Sequence, residues 1–204
     1  MEIQVSGSTQ EDAPLVLLFH GRGSDAKSII TLSEYLPKNA TYVAINGPIF
    51  ENGGFAWFAN RGIGRPIAES IATNMQDFNK WLDVYAAKRK RIFLVGFSGG
   101  GAFAGGLMLT NHQRYSGAAI LYATLPWDAN IPAEIGQLKN FPIFIAQGEN
   151  DNVIPRELLD RTWKYVTEDS GARVSSHKGP EGHGLTDDSL QGLKNWLESE
   201  IAAN

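Results

Sequence analysis

A glycine-rich turn around Ser98 is the segment of this sequence with the clearest capacity for chemistry. Residues Gly96 to Gly100 have the pattern G-x-S-x-G, between an apolar run typical of a buried strand and a segment with helical spacing from Ala102. In that setting the serine occupies a sharp, strained turn, and small residues two positions away give it room. Free N–H groups at a helix N-terminus favour developing negative charge. Ser98 is therefore a candidate nucleophile; the alternative is a glycine-rich turn with a bystander serine.

The candidate base is His183, because a serine hydroxyl is a weak nucleophile that needs one. In chains with this motif the acid and then the histidine follow the serine. His183 lies in a glycine-rich loop between the last predicted strand and the last predicted helix, where sites of open α/β sheets form. The other three histidines fit less well. His20 precedes the serine, His112 ends the predicted helix that begins near the serine, and His177 ends a predicted edge strand. The alternative for His183 is an ordinary core or solvated loop histidine.

The candidate acid is Asp151, in the polar segment that follows the predicted strand 142–147. It would orient His183 and stabilise the imidazolium without taking the proton. Glu149 is the nearest rival and Asp128 a more distant one. The alternative for Asp151 is a turn or helix-capping residue.

Two backbone N–H groups are expected to stabilise the oxyanion that forms when the serine attacks. One belongs to Gly99, directly after the nucleophile, and the other to Arg22, in the H-G-x-G turn after the predicted strand 15–20. His20 begins this turn and is expected to brace it by hydrogen bonds rather than to transfer protons.

Short apolar runs alternate with longer amphipathic segments, and this order positions the candidate residues. The runs are continuous rather than alternating, which is typical of strands in a parallel sheet covered on both faces. Strands are predicted at 15–20, 42–45, 91–96, 118–122 and 142–147, with weaker edge candidates at 3–5 and 174–177; helices are predicted at 28–36, 67–88, 102–110, 155–169 and 186–204. The expected fold class is α/β, an open, mostly parallel central sheet with helices on both faces, formed by residues 1–204 as a single domain.

Composition narrows the classes of protein that the chain could belong to. Of its 204 residues 43% are hydrophobic and 20% charged, the net charge is −4 and cysteine is absent. Such a composition is globular, and it excludes disulfides, thiol nucleophiles and thiolate metal sites. The negative net charge gives no indication of the basic surface that binding to nucleic acid requires. The longest apolar run, 15–19, is too short for a membrane span and no secretory signal is visible, so a cytoplasmic protein is expected.

Taken together, these segments resemble the α/β-hydrolase superfamily, and within it the small phospholipase/carboxylesterase family of acyl-protein thioesterases and short bacterial carboxylesterases. The resemblance rests on 17–23, 96–101, 148–155 and 182–183, and on 46–48 followed by 51–58 with its Trp-Phe pair. It implies the α/β-hydrolase fold with minimal or no lid. It also implies a Ser98–Asp151–His183 triad, an Arg22/Gly99 oxyanion hole, and ester or thioester hydrolysis without a cofactor or metal.

Two departures from the acyl-protein thioesterase pattern bear on the substrate. Those enzymes usually have Gln after the nucleophile, where this chain has Gly99, and Asp directly after the H-G-x-G turn, where Ser24 here precedes Asp25. The differences favour a carboxylesterase that forms an acyl-enzyme from small esters. The alternatives are an acyl thioesterase or lysophospholipase, a non-hydrolytic ligand-binding protein on a hydrolase scaffold, or a peptidase. The partner expected is a small-molecule ester, and a homodimer stays open.

Aromatic and apolar side chains of two loops are expected to bind the substrate. Both loops, 46–66 and 123–140, should lie at the carboxyl ends of strands and form an open, shallow site. Each side chain could equally fill the core of its loop. Arg22 and Arg61 are candidates to receive an anionic group. The substrate-binding candidates are Phe55, Trp57, Phe58, Leu125 and Trp127.

Overall fold

The structure, a computed structural model, describes residues 2–203. The strands are β1 (Ile3–Gly7), β2 (Leu15–Phe19), β3 (Thr41–Ile45), β4 (Ile49–Glu51), β5 (Gly54–Ala56), β6 (Asn60–Gly62), β7 (Arg65–Pro66), β8 (Ile92–Phe97), β9 (Gly117–Leu121), β10 (Pro142–Gly148) and β11 (Arg173–Gly179). The helices are α1 (Ala26–Ile29), α2 (Ala68–Tyr85), α3 (Gly99–Asn111), α4 (Arg156–Lys164) and α5 (Asp187–Ala202).

The central sheet has seven strands in the order β1-β3-β2-β8-β9-β10-β11. β1 pairs antiparallel with β3, and every other neighbouring pair in this sheet is parallel. The chain adds β3 on one side of β2 and β8 on the other, so the winding of the sheet reverses between β2 and β8. A crevice at the carboxyl ends of such a strand pair is the usual ligand site in open α/β sheets. The predicted fold class is confirmed.

The strands are buried on both faces, which explains their unbroken apolar sequences. Along β2, Leu15, Leu17 and Phe19 belong to one apolar core, whereas Val16 and Leu18 belong to the other. The first core also contains side chains of α2 and α3, and the second contains side chains of α1 and α5. Each fully buried leucine or phenylalanine adds roughly 1.5–3 kcal/mol to folding, so the two layers hold the sheet in place.

Several predicted elements differ from the observed ones in extent. The predicted helix 28–36 is the short α1, capped by Asp25, followed by a 3-10 segment, Ile30–Glu34. The predicted helix 155–169 is α4 with a π-helical end, and the last position of the predicted helix 186–204 lies outside the described residues, as do both ends of the predicted domain 1–204. The segment 46–66, expected to be a loop, contains two small hairpins, β4–β5 and β6–β7.

No helix among residues 2–203 combines the length and apolar character needed to cross a bilayer.

The start of α3 packs directly on the end of β2, and this contact depends on Gly100. A Cβ atom at Gly100 would overlap the main-chain carbonyls of Phe19 and His20. We expect Gly100→Ala to lower the free energy of unfolding by about 1–3 kcal/mol, because the main chain must shift to make room. Urea unfolding of the two proteins measures this difference. Gly62→Ala is the matched control, since nothing lies within 4 Å of a Cβ there. Equal stability of the Gly100 and Gly62 variants would contradict the packing argument.

Candidate active site

Ser98 lies at the sharp turn between β8 and α3, in a backbone conformation that side chains rarely adopt. Its φ is 53° and its ψ −120°, and Asn52, Tyr122, Asn130 and Asn140 are the other non-glycine residues of the described chain with positive φ. The turn is held by hydrogen bonds from the Ser98 N–H to Leu121 O (2.9 Å) and from the Ala102 N–H to Ser98 O (3.1 Å). Strain of this kind persists where the surrounding structure fixes it, as the flanking strand and helix do here.

The three predicted catalytic side chains lie in one hydrogen-bonded chain. His183 Nε2 is 2.9 Å from Ser98 Oγ, and His183 Nδ1 is 2.7 Å from Asp151 Oδ2. The serine follows β8, the aspartate follows β10 and the histidine follows β11, so three parallel strands place them at one edge of the sheet. A carboxylate at Nδ1 and a hydroxyl at Nε2 is the arrangement in which an imidazole can take the hydroxyl proton.

The Asp151 carboxylate is fully buried, and the oxygen that does not face His183 accepts hydrogen bonds from the main chain. Oδ1 accepts the N–H groups of Val153 (2.9 Å) and Ile154 (3.1 Å), which leaves Oδ2 for the histidine. The two rivals lie elsewhere: Glu149 is exposed, and Asp128 forms an ion pair with Arg65. Asp151 is thus the carboxylate that the fold orients toward His183.

A second polar network, which sequence reasoning missed, holds the loop that carries His183. The Tyr122 hydroxyl donates to Glu181 Oε1 (2.7 Å), and His177 Nε2 lies 2.8 Å from the same oxygen. Burial raises the pKa of Tyr122 to about 12, so the hydroxyl stays a donor. Burial alone would raise the pKa of Glu181, but the hydrogen bonds from Tyr122, from its own backbone and from His177 outweigh it and lower the pKa. Tyr122 and Glu181 are 59 residues apart, and no spacing rule links them.

Arg22 lies beside the nucleophile turn, as the oxyanion-hole prediction requires. A Cβ atom built on Gly99 would be 3.4 Å from Arg22 N, so the two main chains are in close contact. Within residues 2–203 no backbone carbonyl accepts the Arg22 N–H. Gly99 is the first residue of α3, and the N–H groups of a first helical turn have no acceptor within the helix. Among residues 2–203, neither N–H is therefore bonded to a main-chain carbonyl, and both stay candidates to bind an oxyanion.

His20 is buried beneath this turn and bonded on both ring nitrogens. The Gly47 N–H donates to Nε2 (3.0 Å), so the proton of the neutral ring is on Nδ1, which donates to Gly21 O (2.7 Å). Burial lowers the pKa of His20, against the opposing effects of the Gly21 bond and the Asp25 charge. A ring with both nitrogens engaged away from Ser98 matches the bracing role predicted for it.

Comparison with known protein families gives a match to the phospholipase/carboxylesterase family over residues 2–201. The chain belongs to this family. It is thus a hydrolase of the phospholipase/carboxylesterase family, and the resemblance of its motifs to the family is confirmed.

Individual relatives cover nearly the whole chain at low identity. The Bacillus subtilis (strain 168) protein MhqD is 24% identical over 191 residues, 92% of this chain and 94% of its own length. The carboxylesterase structure from Bacillus cereus has a TM-score of 0.86 at 24% identity, covering 98% of this chain and 94% of that one. The carboxylesterase from Mesorhizobium loti gives 0.83 at 24% identity, with 96% and 93% covered. These similarities show that the chain has the α/β-hydrolase fold.

A cavity of about 550 Å³ is lined by Ser98 and His183. Its wall includes Phe58 and Ile63 from the segment 46–66, but Thr124 is the one residue that 123–140 contributes. Other lining residues come from the turn that contains Arg22, from α1, from the end of β8 and the start of α3, and from the segment after Asp151. The expectation that two loops build the site therefore holds for the first loop far more than for the second.

Four of the five predicted substrate-binding residues lie away from the cavity wall; Phe58 is on it. Trp57 is buried, stacks on Phe103 (ring centroids 4.8 Å apart) and donates its indole N–H to His20 O. Leu125 is fully buried in the first apolar core. These two side chains fill the protein interior, where tryptophan and leucine are commonly buried.

The remaining two lie on other surfaces. Phe55 pairs through its backbone with Ser24, and its ring packs against Phe50. Trp127 donates to Thr162 Oγ1 (3.0 Å) and lies beneath the Arg161 guanidinium, 4.0 Å from ring centroid to Cζ.

The two arginines considered as anion receptors also differ in placement. Arg22 lines the cavity, but its guanidinium is bonded to Glu51 and to the Phe58 carbonyl. Arg61 is exposed and does not line the cavity.

Acidification is expected to destabilise the protein partly through His20. Its pKa in the native state lies below the ordinary 6.5, so the unfolded chain binds a proton that the native state refuses, and stability falls as pH drops below about 6.5. We expect His20→Gln to be less stable at pH 7.5 and to lose less further stability between pH 7.5 and 5 than the parent. Urea unfolding at the two pH values measures both. An unchanged pH dependence in His20→Gln would contradict this assignment.

Proposed function

We propose that the protein is a serine carboxylesterase that forms an acyl-enzyme on Ser98 from small carboxylic esters. The observation that carries the proposal is the hydrogen-bonded chain from Ser98 Oγ through His183 to Asp151. Membership of the phospholipase/carboxylesterase family supports it independently, because the family is one of ester hydrolases.

In the acylation step Ser98 Oγ attacks the ester carbonyl carbon and its proton passes to His183 Nε2. The carbonyl oxygen becomes an oxyanion, which accepts hydrogen bonds from the N–H groups of Arg22 and Gly99. When the tetrahedral intermediate collapses, the bond to the alkoxy oxygen breaks, and that oxygen takes the proton from His183. The alcohol leaves, and the acyl group stays on Ser98.

Deacylation repeats the sequence with water. His183 takes a proton from the water, whose oxygen attacks the acyl carbon, and returns the proton to Ser98 Oγ as the acid leaves. Throughout the cycle Asp151 holds the imidazole tautomer and stabilises the imidazolium without accepting its proton. The cycle consumes one ester and one water and releases one alcohol and one acid.

The size and lining of the cavity support a small substrate. Its volume of about 550 Å³ includes the space over the catalytic groups, and side chains such as Phe58, Ile63 and Ile154 make much of its wall apolar. Ligand pockets of this kind bury most of a small molecule and orient it with a few polar groups.

The decisive variant is Ser98→Ala, measured on p-nitrophenyl esters of short acids. We expect kcat to fall by about 10⁴–10⁶-fold, because no other hydroxyl among residues 2–203 bonds to the His183 ring. The residual rate enhancement would come only from binding and the oxyanion hole. Ser175→Ala, on the exposed part of β11, is the matched control and should keep full activity. Parent-like turnover by Ser98→Ala would refute the proposed nucleophile.

A further inference from the structure

The hairpin β4–β5 and the residues that follow it lie against the oxyanion turn, Gly21 to Ser24. We infer that Glu51 of this hairpin is a positioning residue, which fixes the Arg22 N–H in the oxyanion hole by holding the Arg22 side chain. The inference rests on the proposed function, since it concerns the donor that would stabilise the oxyanion. It assigns a catalytic purpose to an ion pair formed between residues 29 positions apart.

Main-chain hydrogen bonds first align the turn with the hairpin. The Gly23 N–H donates to Phe55 O (2.9 Å), and the Phe55 N–H donates to Ser24 O (2.8 Å). Gly54 lies so close that any Cβ there would overlap the Gly23 carbonyl. The turn is thus paired to β5 like a short extra strand. These hydrogen bonds involve Gly23 and Ser24, so they do not hold the main chain of Arg22 itself.

The side chain of Arg22 supplies the missing attachment. Its Nη1 lies 2.6 Å from both carboxylate oxygens of Glu51, and its Nη2 donates to the Phe58 carbonyl. The guanidinium also lies over the Phe58 ring, 5.8 Å from the centroid. Charge-assisted bonds to a carboxylate and a carbonyl leave the arginine little rotational freedom, and they restrain its Cα and therefore its N–H.

The exposure of the Arg22–Glu51 pair indicates that it mainly positions the Arg22 main chain and adds little to the stability of the fold. Both side chains are about 30% exposed, at 28% and 31%, and ion pairs with that much solvent contact add little to folding. In contrast, an oxyanion donor must meet the developing charge within a few tenths of an ångström, and losing one such donor costs about 10²–10³-fold in kcat.

The competing role for Arg22 is recognition of an anionic group on the substrate, since this residue lines the cavity. Under that role Glu51 would be an inhibitor of binding, and removing it would free the cation. The two roles therefore predict opposite effects of the same substitution on esters that carry a carboxylate.

The test is steady-state kinetics of Glu51→Ala and Glu51→Gln on a neutral short-chain p-nitrophenyl ester. We expect kcat to fall by about 10–100-fold in Glu51→Ala with KM within about two-fold, because a displaced donor weakens the transition state and not substrate binding. Glu51→Gln should lose less, since its amide oxygen can still accept one hydrogen bond from Arg22. A trifluoromethyl ketone, whose adduct carries an oxyanion, should lose affinity in proportion to kcat/KM.

The control is Asp83→Ala, which removes the carboxylate partner of Arg114 on a surface that does not line the cavity, and it should leave kcat unchanged. Thermal unfolding of each variant shows whether it is folded. If Glu51→Ala does not fold, the kinetics of Glu51→Gln alone test the inference. Unchanged kcat in the folded variants would overturn the inference, as would a lower KM for a carboxylate-bearing ester without a loss of kcat. If the parent itself fails to hydrolyse esters, the proposed function fails instead.

Discussion

The close approach of α3 to the carboxyl end of β2 is the constraint on which the rest of the site depends. Gly100 lies against the Phe19 and His20 carbonyls, so the first turn of α3 cannot carry a side chain on that face. That contact brings the strained turn at Ser98 next to the turn containing Arg22. The candidate nucleophile Ser98 and the N–H groups of Arg22 and Gly99 then lie side by side where the winding of the sheet reverses.

The other half of the site depends on a similar fit between two loops. The Gly148 Cα lies against the carbonyls of Glu181 and Gly182, and the Asn150 N–H donates to Glu181 O (3.0 Å). The loops that carry Asp151 and His183 are thereby held together by contacts that do not involve Ser98. The hydrogen-bonded chain of the candidate triad thus joins two halves of the site, one on β2 and β8 and the other on β10 and β11.

Sequence reasoning predicted the parts of this arrangement that depend on local rules. Buried strands are continuous apolar runs, and the G-x-S-x-G turn together with the strand-end positions of Asp151 and His183 follows from chain order. The surroundings of a side chain that depend on long-range packing could not be predicted from the sequence. An aromatic residue such as Trp57 is equally compatible with a core and with a pocket. The Glu51–Arg22 pair and the Tyr122–Glu181 bond likewise join residues that no periodicity connects.

We propose that Ser98 is the nucleophile that this fold activates. Reaction of the folded protein with a fluorophosphonate, followed by peptide mass spectrometry to locate the phosphonyl group, tests this directly. We expect a single adduct, on Ser98, that forms much more slowly when His183 is replaced by Ala, because the hydroxyl then lacks its base. An adduct on another residue, or labelling of Ser98 at the same rate without His183, would contradict it.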